Sequence, residues 1–260
     1  MELGLGGRVA LITGGSEGIG KAIAWRLAEA GCKVAICARR SNVLESAAEE
    51  IRSETCAEVM AVPADVTKWD DIERFVSATV EAFGRIDNLI NNAGRAAGGY
   101  FEDVDEVAWQ GDMDLKFWAA VRFCRLVVPL MREQGGGRII NITHPGGKAP
   151  GAGSVPTSVS RAAGIAFTKA LSHDVAKHNI LVNTVCLINI KSAQGVRWWQ
   201  ESGTEMSLSD WWVEQGKIVP VGRAGEPEEV GDLVAFLASE RASFITGASI
   251  NIDGGTSAVV

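Results

Sequence analysis

The run Thr13-Gly14-Gly15-Ser16-Glu17-Gly18-Ile19-Gly20 has the make-up of a phosphate cradle. It closes the apolar run Arg8 to Thr13 and leads straight into the amphipathic pattern Lys21-Ala22-Ile23-Ala24-Trp25-Arg26-Leu27-Ala28. Glycines at a strand-to-helix turn let a pyrophosphate approach the backbone, where free N–H groups and the positive end of the helix dipole receive it. Dinucleotide binding is therefore the chemistry predicted at this end. The second apolar run closes with Ile36-Cys37-Ala38-Arg39-Arg40. An acid there would hydrogen-bond the adenosine ribose of NAD, whereas arginine pairs with a 2′-phosphate. Arg39 thus favours NADP(H), while Glu17 brings negative charge near that phosphate and keeps NAD(H) possible.

A cradle of this kind needs a strand before it and a helix after it, and the chain supplies that alternation throughout. Strands are predicted at Arg8 to Thr13, Lys33 to Ala38, Glu58 to Pro63, Asp87 to Asn91, Gly137 to Ile142, Ile180 to Val185 and Ala248 to Ile252. Several are continuous apolar runs, as strands covered on both faces should be. Helices are predicted at Gly18 to Ala30, Ser41 to Glu54, Trp69 to Phe83, Val104 to Arg132, Ser154 to His178 and Pro227 to Ala238. Strand and helix in turn imply an α/β fold, a single Rossmann-type domain with a doubly wound parallel sheet of about seven strands. The 260 residues, 47% hydrophobic and 22% charged, suffice to bury a core without disulfides or a structural metal.

A formal charge of -7 leaves no basic face for nucleic acid. Cys32, Cys37, Cys56, Cys124 and Cys186 show no zinc-site spacing, so no metal is expected; they read as buried small apolar residues in a reducing compartment. No signal peptide or membrane-length apolar run is seen, so no membrane partner and a cytoplasmic location are expected. The stretch Lys191 to Val219 has no strand signal and carries Trp198, Trp199, Trp211 and Trp212. It reads either as a substrate lid, with Trp198, Trp199 and Leu187 in the pocket, or as an oligomer interface.

From Arg8 to Gly255 the sequence resembles the short-chain dehydrogenase/reductase family. The motifs that carry the resemblance are Thr13 to Gly20, Ala64-Asp65-Val66, Asn91-Asn92-Ala93-Gly94, Arg223 to Val230, and Ile245-Thr246-Gly247 through Asp253-Gly254-Gly255. The resemblance implies that Gly14, Ser16, Glu17, Gly18, Ile19 and Gly20 lie along the pyrophosphate and Arg39 at the 2′-phosphate. It places Asp65 and Val66 at the adenine, Asn91, Ala93 and Gly94 on the ribose side, and Ile190 and Arg161 near the nicotinamide. It also implies a small-molecule substrate and a homo-oligomer, dimer or tetramer.

Where members of that family carry an Asn-Ser-Tyr-Lys tetrad, this sequence departs at every position. Counted on from Trp109, the Asn position holds Lys116; the Ser position, after Arg138 to Thr143, holds His144. At the usual offsets beyond stand Thr157 and Arg161, in a register supported by Ala166 to Leu171 and Ile180 to Asn183. The chain's one tyrosine, Tyr100, follows the Asn91 to Gly94 motif, and Leu187-Ile188 replaces the family's Pro-Gly. Threonine has no accessible pKa near neutrality, so Thr157 can donate a hydrogen bond but cannot act as a general acid. Arg161, one helical turn on, could hold ribose hydroxyls but will not shuttle protons. His144 is the remaining group whose ordinary pKa lies near 7, with Lys116, lowered by desolvation, second and Lys148 third.

Three readings stay open. One is an oxidoreductase with a rearranged proton relay, acting on a hydrophobic or aromatic carbonyl, imine or polarised alkene. Another is a catalytically degenerate subunit that pairs with an active homologue in a hetero-oligomer. The last is a non-redox lyase or isomerase using the His144, Lys116 and Arg161 cluster.

Overall fold

The computed structural model describes residues 2–259. Seven strands form one parallel sheet: β1 (Val9–Thr13), β2 (Lys33–Ala38), β3 (Val59–Pro63), β4 (Asn88–Asn91), β6 (Gly137–Thr143), β8 (Ile180–Leu187) and β9 (Ser249–Ile252). β5 (Gly98–Gly99) and β7 (Val155–Pro156) pair antiparallel outside it. The spatial order is β3-β2-β1-β4-β6-β8-β9. The winding therefore reverses between β1 and β4, and the loops leaving their C-terminal ends diverge. In open α/β sheets that divergence makes the ligand crevice.

Helices cover both faces. α1 (Gly18–Glu29), α2 (Ser41–Thr55) and α9 (Pro227–Ala238) lie on one, with Ile23, Leu27, Leu44, Ile51 and Val234 packed against Ile12 and Ile36. On the other, α3 (Trp69–Phe83), α5 (Ala119–Glu133) and α6 (Thr157–Val175) bring Ile72, Phe75, Phe123 and Val127 against Leu11 and Leu89. Leu11 and Ile12 face opposite layers because side chains alternate along a strand. Both faces of β1 are thus buried without a gap, at about 1.5–3 kcal/mol for each large apolar side chain.

Two expectations change at the helices, and a third stretch gains definition. The stretch predicted as one helix from Val104 to Arg132 is α4 (Glu106–Met113), a π-helical turn (Asp114–Trp118) and α5. The turn is set by the Ala119 N–H reaching back to the Asp114 carbonyl, one residue further than an α-helix would. α6 begins at Thr157 rather than Ser154, because Val155 and Pro156 are drawn into the pairing with β5 and a residue before proline avoids helical dihedrals. The stretch from Lys191 to Val219 holds two helices, α7 (Ala193–Glu201) and α8 (Leu208–Gly216), each capped by a serine, Ser192 and Ser207.

Cys56 corrects the expectation of buried cysteines: it is exposed, at the left-handed C-cap of α2, while Cys32, Cys37, Cys124 and Cys186 are buried. Among the described residues no helix is long and apolar enough to cross a membrane.

Candidate active site

A cavity of about 560 Å³ opens at the C-terminal ends of β1, β4, β6 and β8. Its floor is polar and tied together. Asn91 Nδ2 donates to Asn141 Oδ1 at 2.8 Å, Asn141 Nδ2 to Thr168 Oγ1 at 2.8 Å, and Thr184 Oγ1 to Thr168 Oγ1 at 2.8 Å. The Asn92 amide donates to the carbonyls of Thr13 and Gly14, while the backbone N–H groups of Asn92 and Ala93 donate to Thr13 Oγ1. These bonds lock the loop after β4 onto the loop after β1. Nearby polar groups satisfied by one another hold their geometry more firmly than loops exposed to water.

Gly14, Ser16, Glu17, Gly18, Ile19 and Gly20 line one end of the cavity, with Asn91, Ala93, Gly94 and Ile190 beside them. The glycines are required by space: a Cβ on Gly20 would lie 2.0 Å from the Gly14 carbonyl oxygen, and Gly14 has φ +70°. Glu17 does not face the cradle as a bare charge, since Arg40 pairs with its carboxylate. Arg39 is exposed at the end of β2 and lies outside the enclosed cavity, as do Asp65 and Val66. Asp65 Oδ1 accepts from the N–H and hydroxyl of Thr67, which fixes that turn.

Leu187, Phe167, Trp198, Trp211 and Trp212 add apolar walls to the same cavity. Trp199 is not among them: its indole Nε1 donates to the Met206 carbonyl at 2.9 Å between α7 and α8, which corrects its expected place in the pocket. Trp211 and Trp212, which sequence reasoning left unassigned within the segment, take that place. The signal was there in Gly195, one turn into α7, where a Cβ would stand 2.3 Å from the Trp212 ring. α7 is also held down at its start. Gly18 leaves room for Ala193, and Gln194 Oε1 accepts from the Ala96 N–H at 3.0 Å.

Lys116, His144 and Arg161 line the same cavity and lie close enough for their charges to act on one another. Lys116 sits in the π-helical turn with its side chain only 6% exposed, so it is no solvated surface lysine. Its ammonium pairs with Asp112, one turn earlier and 1% exposed, and donates to Thr157 Oγ1 at 2.5 Å. The second Asp112 oxygen accepts from Ser160 Oγ at 2.6 Å. Burial drives the Lys116 pKa down, the bond to Asp112 pushes it up, and Arg161 and Arg95 lower it again, leaving it at about 8.

His144 is held in its neutral form near neutrality. Burial, then the charges of Arg161 and Lys116, lower its pKa to about 4. Its Nδ1 accepts from the Gly146 N–H at 2.9 Å, so the neutral ring presents Nε2–H. Two further candidates fall away. Thr157 does not line the cavity but backs Lys116, and Lys148 is engaged with the Ser249 carbonyl and Asn251 Oδ1. Tyr100 is 65% exposed and outside the cavity. Asp112 was missed from the sequence; its spacing of four residues before Lys116 was the available sign.

Comparison with known proteins gives a consistent picture. The family model described as enoyl-(acyl carrier protein) reductase matches residues 14–257. The 3-oxoacyl-(acyl-carrier-protein) reductase FabG of Vibrio cholerae is 35% identical over 257 residues, 97% of this chain and 98% of that protein. Human dehydrogenase/reductase SDR family member 4 is 33% identical over 253 residues, 97% of this chain and 88% of its own. Among solved structures, L-sorbose reductase of Gluconobacter frateurii complexed with NADPH and L-sorbose superposes with a TM-score of 0.95 at 31% identity, covering 100% of both chains. A variant of actinorhodin polyketide ketoreductase with NADPH gives a TM-score of 0.89 at 34% identity, covering 97% of this chain and 98% of that one.

Proposed function

Because the chain belongs to the short-chain dehydrogenase/reductase family, a family of oxidoreductases, we propose that it binds NADP(H) in the glycine cradle and uses Lys116 as its proton carrier toward a hydrophobic or aromatic carbonyl, imine or polarised alkene. The cradle fits a pyrophosphate: Gly14 and Gly20 leave the backbone bare where a side chain would collide, at the start of α1. Arg39, exposed beyond β2, would receive a 2′-phosphate, and Arg40 offsets Glu17 so that the neighbourhood tolerates one. Two solved relatives are complexes with NADPH, which favours the same nucleotide here. When bound, the nicotinamide would supply or accept a hydride.

The observation that carries the reading is the Lys116 ammonium on the cavity wall, held by Asp112 and Thr157. An ammonium has three donors. Two are engaged by those partners, and the third is left for a ligand atom in the cavity. With a pKa of about 8 the group is protonated roughly ten to one at pH 7 and still gives up its proton readily. It takes over the acid role that Thr157 cannot perform. Neutral His144 can donate an Nε2–H hydrogen bond without carrying charge. Trp198, Trp211 and Trp212 offer flat apolar walls, the basis for an aromatic or hydrophobic substrate.

Tryptophan fluorescence of the purified protein, titrated with NADPH and NADH, tests the first half. Quenching that saturates at micromolar NADPH and needs more NADH is expected. A carbonyl screen on wild type and Lys116→Met tests the second, with turnover in the former and little in the latter. No binding of either nucleotide would sink the proposal and turn attention to a partner chain.

A further inference from the structure

Resting on that reading and narrowing its substrate class, we propose that the substrate carries a carboxylate, and that Arg161 is the residue that receives it. Arg161 projects from the first turns of α6 into the cavity wall. Its guanidinium makes no hydrogen bond within the described residues; its surroundings act on it through burial and the more distant charge of Asp112. Asp112, the acid of the cluster, has both oxygens engaged, one by Lys116 and the other by Ser160. A guanidinium has five N–H donors in a planar fork, and leaving them unmatched in a half-buried site is costly. The group that best matches such a fork is a carboxylate, bound side-on through two parallel hydrogen bonds.

The field of the cavity points the same way. The chain carries a formal charge of -7, yet the cavity lining holds Arg95, Lys116, Arg161 and Arg197 against a single acid, Glu17. Glu17 lies in the glycine cradle and is paired with Arg40, so it is not free to offset the other cations of the lining. Lys116 is balanced by Asp112. Arg161 is not balanced by any group in contact with it. Clefts lined by one sign of charge concentrate ligands of the other. With Trp198, Trp211 and Trp212 in the lining of the same cavity, the complementary ligand has an anionic head and a flat or apolar body.

The test is calorimetric titration of the wild-type protein with 2-naphthoate and with its neutral analogue 2-naphthamide, each with and without saturating NADP+. The expected result is naphthoate binding at least tenfold tighter than the amide, in both conditions. Arg161→Gln should reduce that preference to less than twofold, and Arg161→Lys, which keeps the charge but not the fork, should retain part of it. Equal affinities for acid and amide, no naphthoate binding up to millimolar concentration, or an unchanged preference in Arg161→Gln would overturn the proposal. Displacement of naphthoate by NADP+ would also overturn it, because Arg161 would then hold the cofactor's ribose hydroxyls. Should NADP+ fail to bind while the acid is still preferred over the amide, the cofactor reading falls and the carboxylate site stands.

Discussion

Replacing Asp112 by Asn removes a negative charge from the Lys116 ammonium while keeping one acceptor, the amide oxygen, for it; the amide N–H2 then donates to Ser160 Oγ, whose hydroxyl can donate to the Thr157 carbonyl. In the native protein the bond to Asp112 raises the Lys116 pKa against burial, Arg161 and Arg95, with a balance at about 8. An opposite charge at contact distance is worth roughly 1–3 pKa units, so its loss should bring Lys116 to roughly 6. At pH 7 the protonated fraction would then fall from roughly nine tenths to roughly one tenth. A reduction that takes its proton from Lys116 should slow by about tenfold at pH 7, and the alkaline limb of its rate profile should move acidward by the same interval. The direct assay needs no substrate: the ¹³Cε chemical shift of Lys116 in lysine-labelled protein, assigned with Lys116→Met, followed from pH 5 to pH 11. Thermal melts show whether the variant stays folded, since breaking a buried pair can cost about 3–5 kcal/mol. Titration of wild-type Lys116 near the ordinary value of 10.5, or an unshifted curve in Asp112→Asn, would refute the reasoning.

Two other outcomes follow from the same geometry. His144 has its pKa lowered from 6.5 to about 4 in the folded protein, so as pH falls through that window the unfolded chain takes up a proton that the native state refuses; stability should drop by at most about 3 kcal/mol between those limits, as read by urea melts, and the drop should be absent in His144→Gln. Arg39→Ser removes the exposed guanidinium beyond β2, and loss of a charge-assisted bond of about 1.5–3 kcal/mol should weaken NADPH roughly 10–100-fold in fluorescence titration while leaving NADH within twofold.

The sheet was legible because its signal is redundant. β1 and β2 are nearly continuous apolar runs, β8 is interrupted only by Asn183 and Thr184, and each lies within two residues of where the pattern put it. The glycine cradle was legible for a different reason: at Gly20 no other residue fits, so the sequence carries the steric constraint in its letters. The π-helical turn left no such mark. A single shifted hydrogen bond at Ala119 costs the amphipathic pattern little, and the segment from Val104 to Arg132 reads as one helix. Lys116 is proposed ahead of His144, against the order of their ordinary pKa values, because a pKa is a property of surroundings. Both residues start from ordinary values, and only the packed cavity, with Arg161 beside them and Asp112 on Lys116 alone, separates them. Trp198 and Trp199 are adjacent in sequence, and helical geometry turns one toward the cavity and the other toward Met206.

The coupling among these groups makes one further prediction, which joins the proton carrier to the carboxylate site. Arg161 lowers the pKa of both Lys116 and His144. A carboxylate seated on its guanidinium brings a compensating negative charge into the same cluster, so binding should raise Lys116 back toward its ordinary value. A rise of about one unit from about 8 would lift the protonated fraction at pH 8 from roughly one half to roughly nine tenths, an uptake of about 0.4 proton per site. Calorimetry of 2-naphthoate binding at pH 8, repeated in buffers of different ionisation enthalpy, measures that uptake directly. The neutral amide should bind with none, and Lys116→Met should abolish the uptake while the acid still binds. If the acid binds with no proton taken up by wild type, its charge does not lie close to Lys116. The substrate's own carboxylate would then have no part in keeping the proton carrier charged.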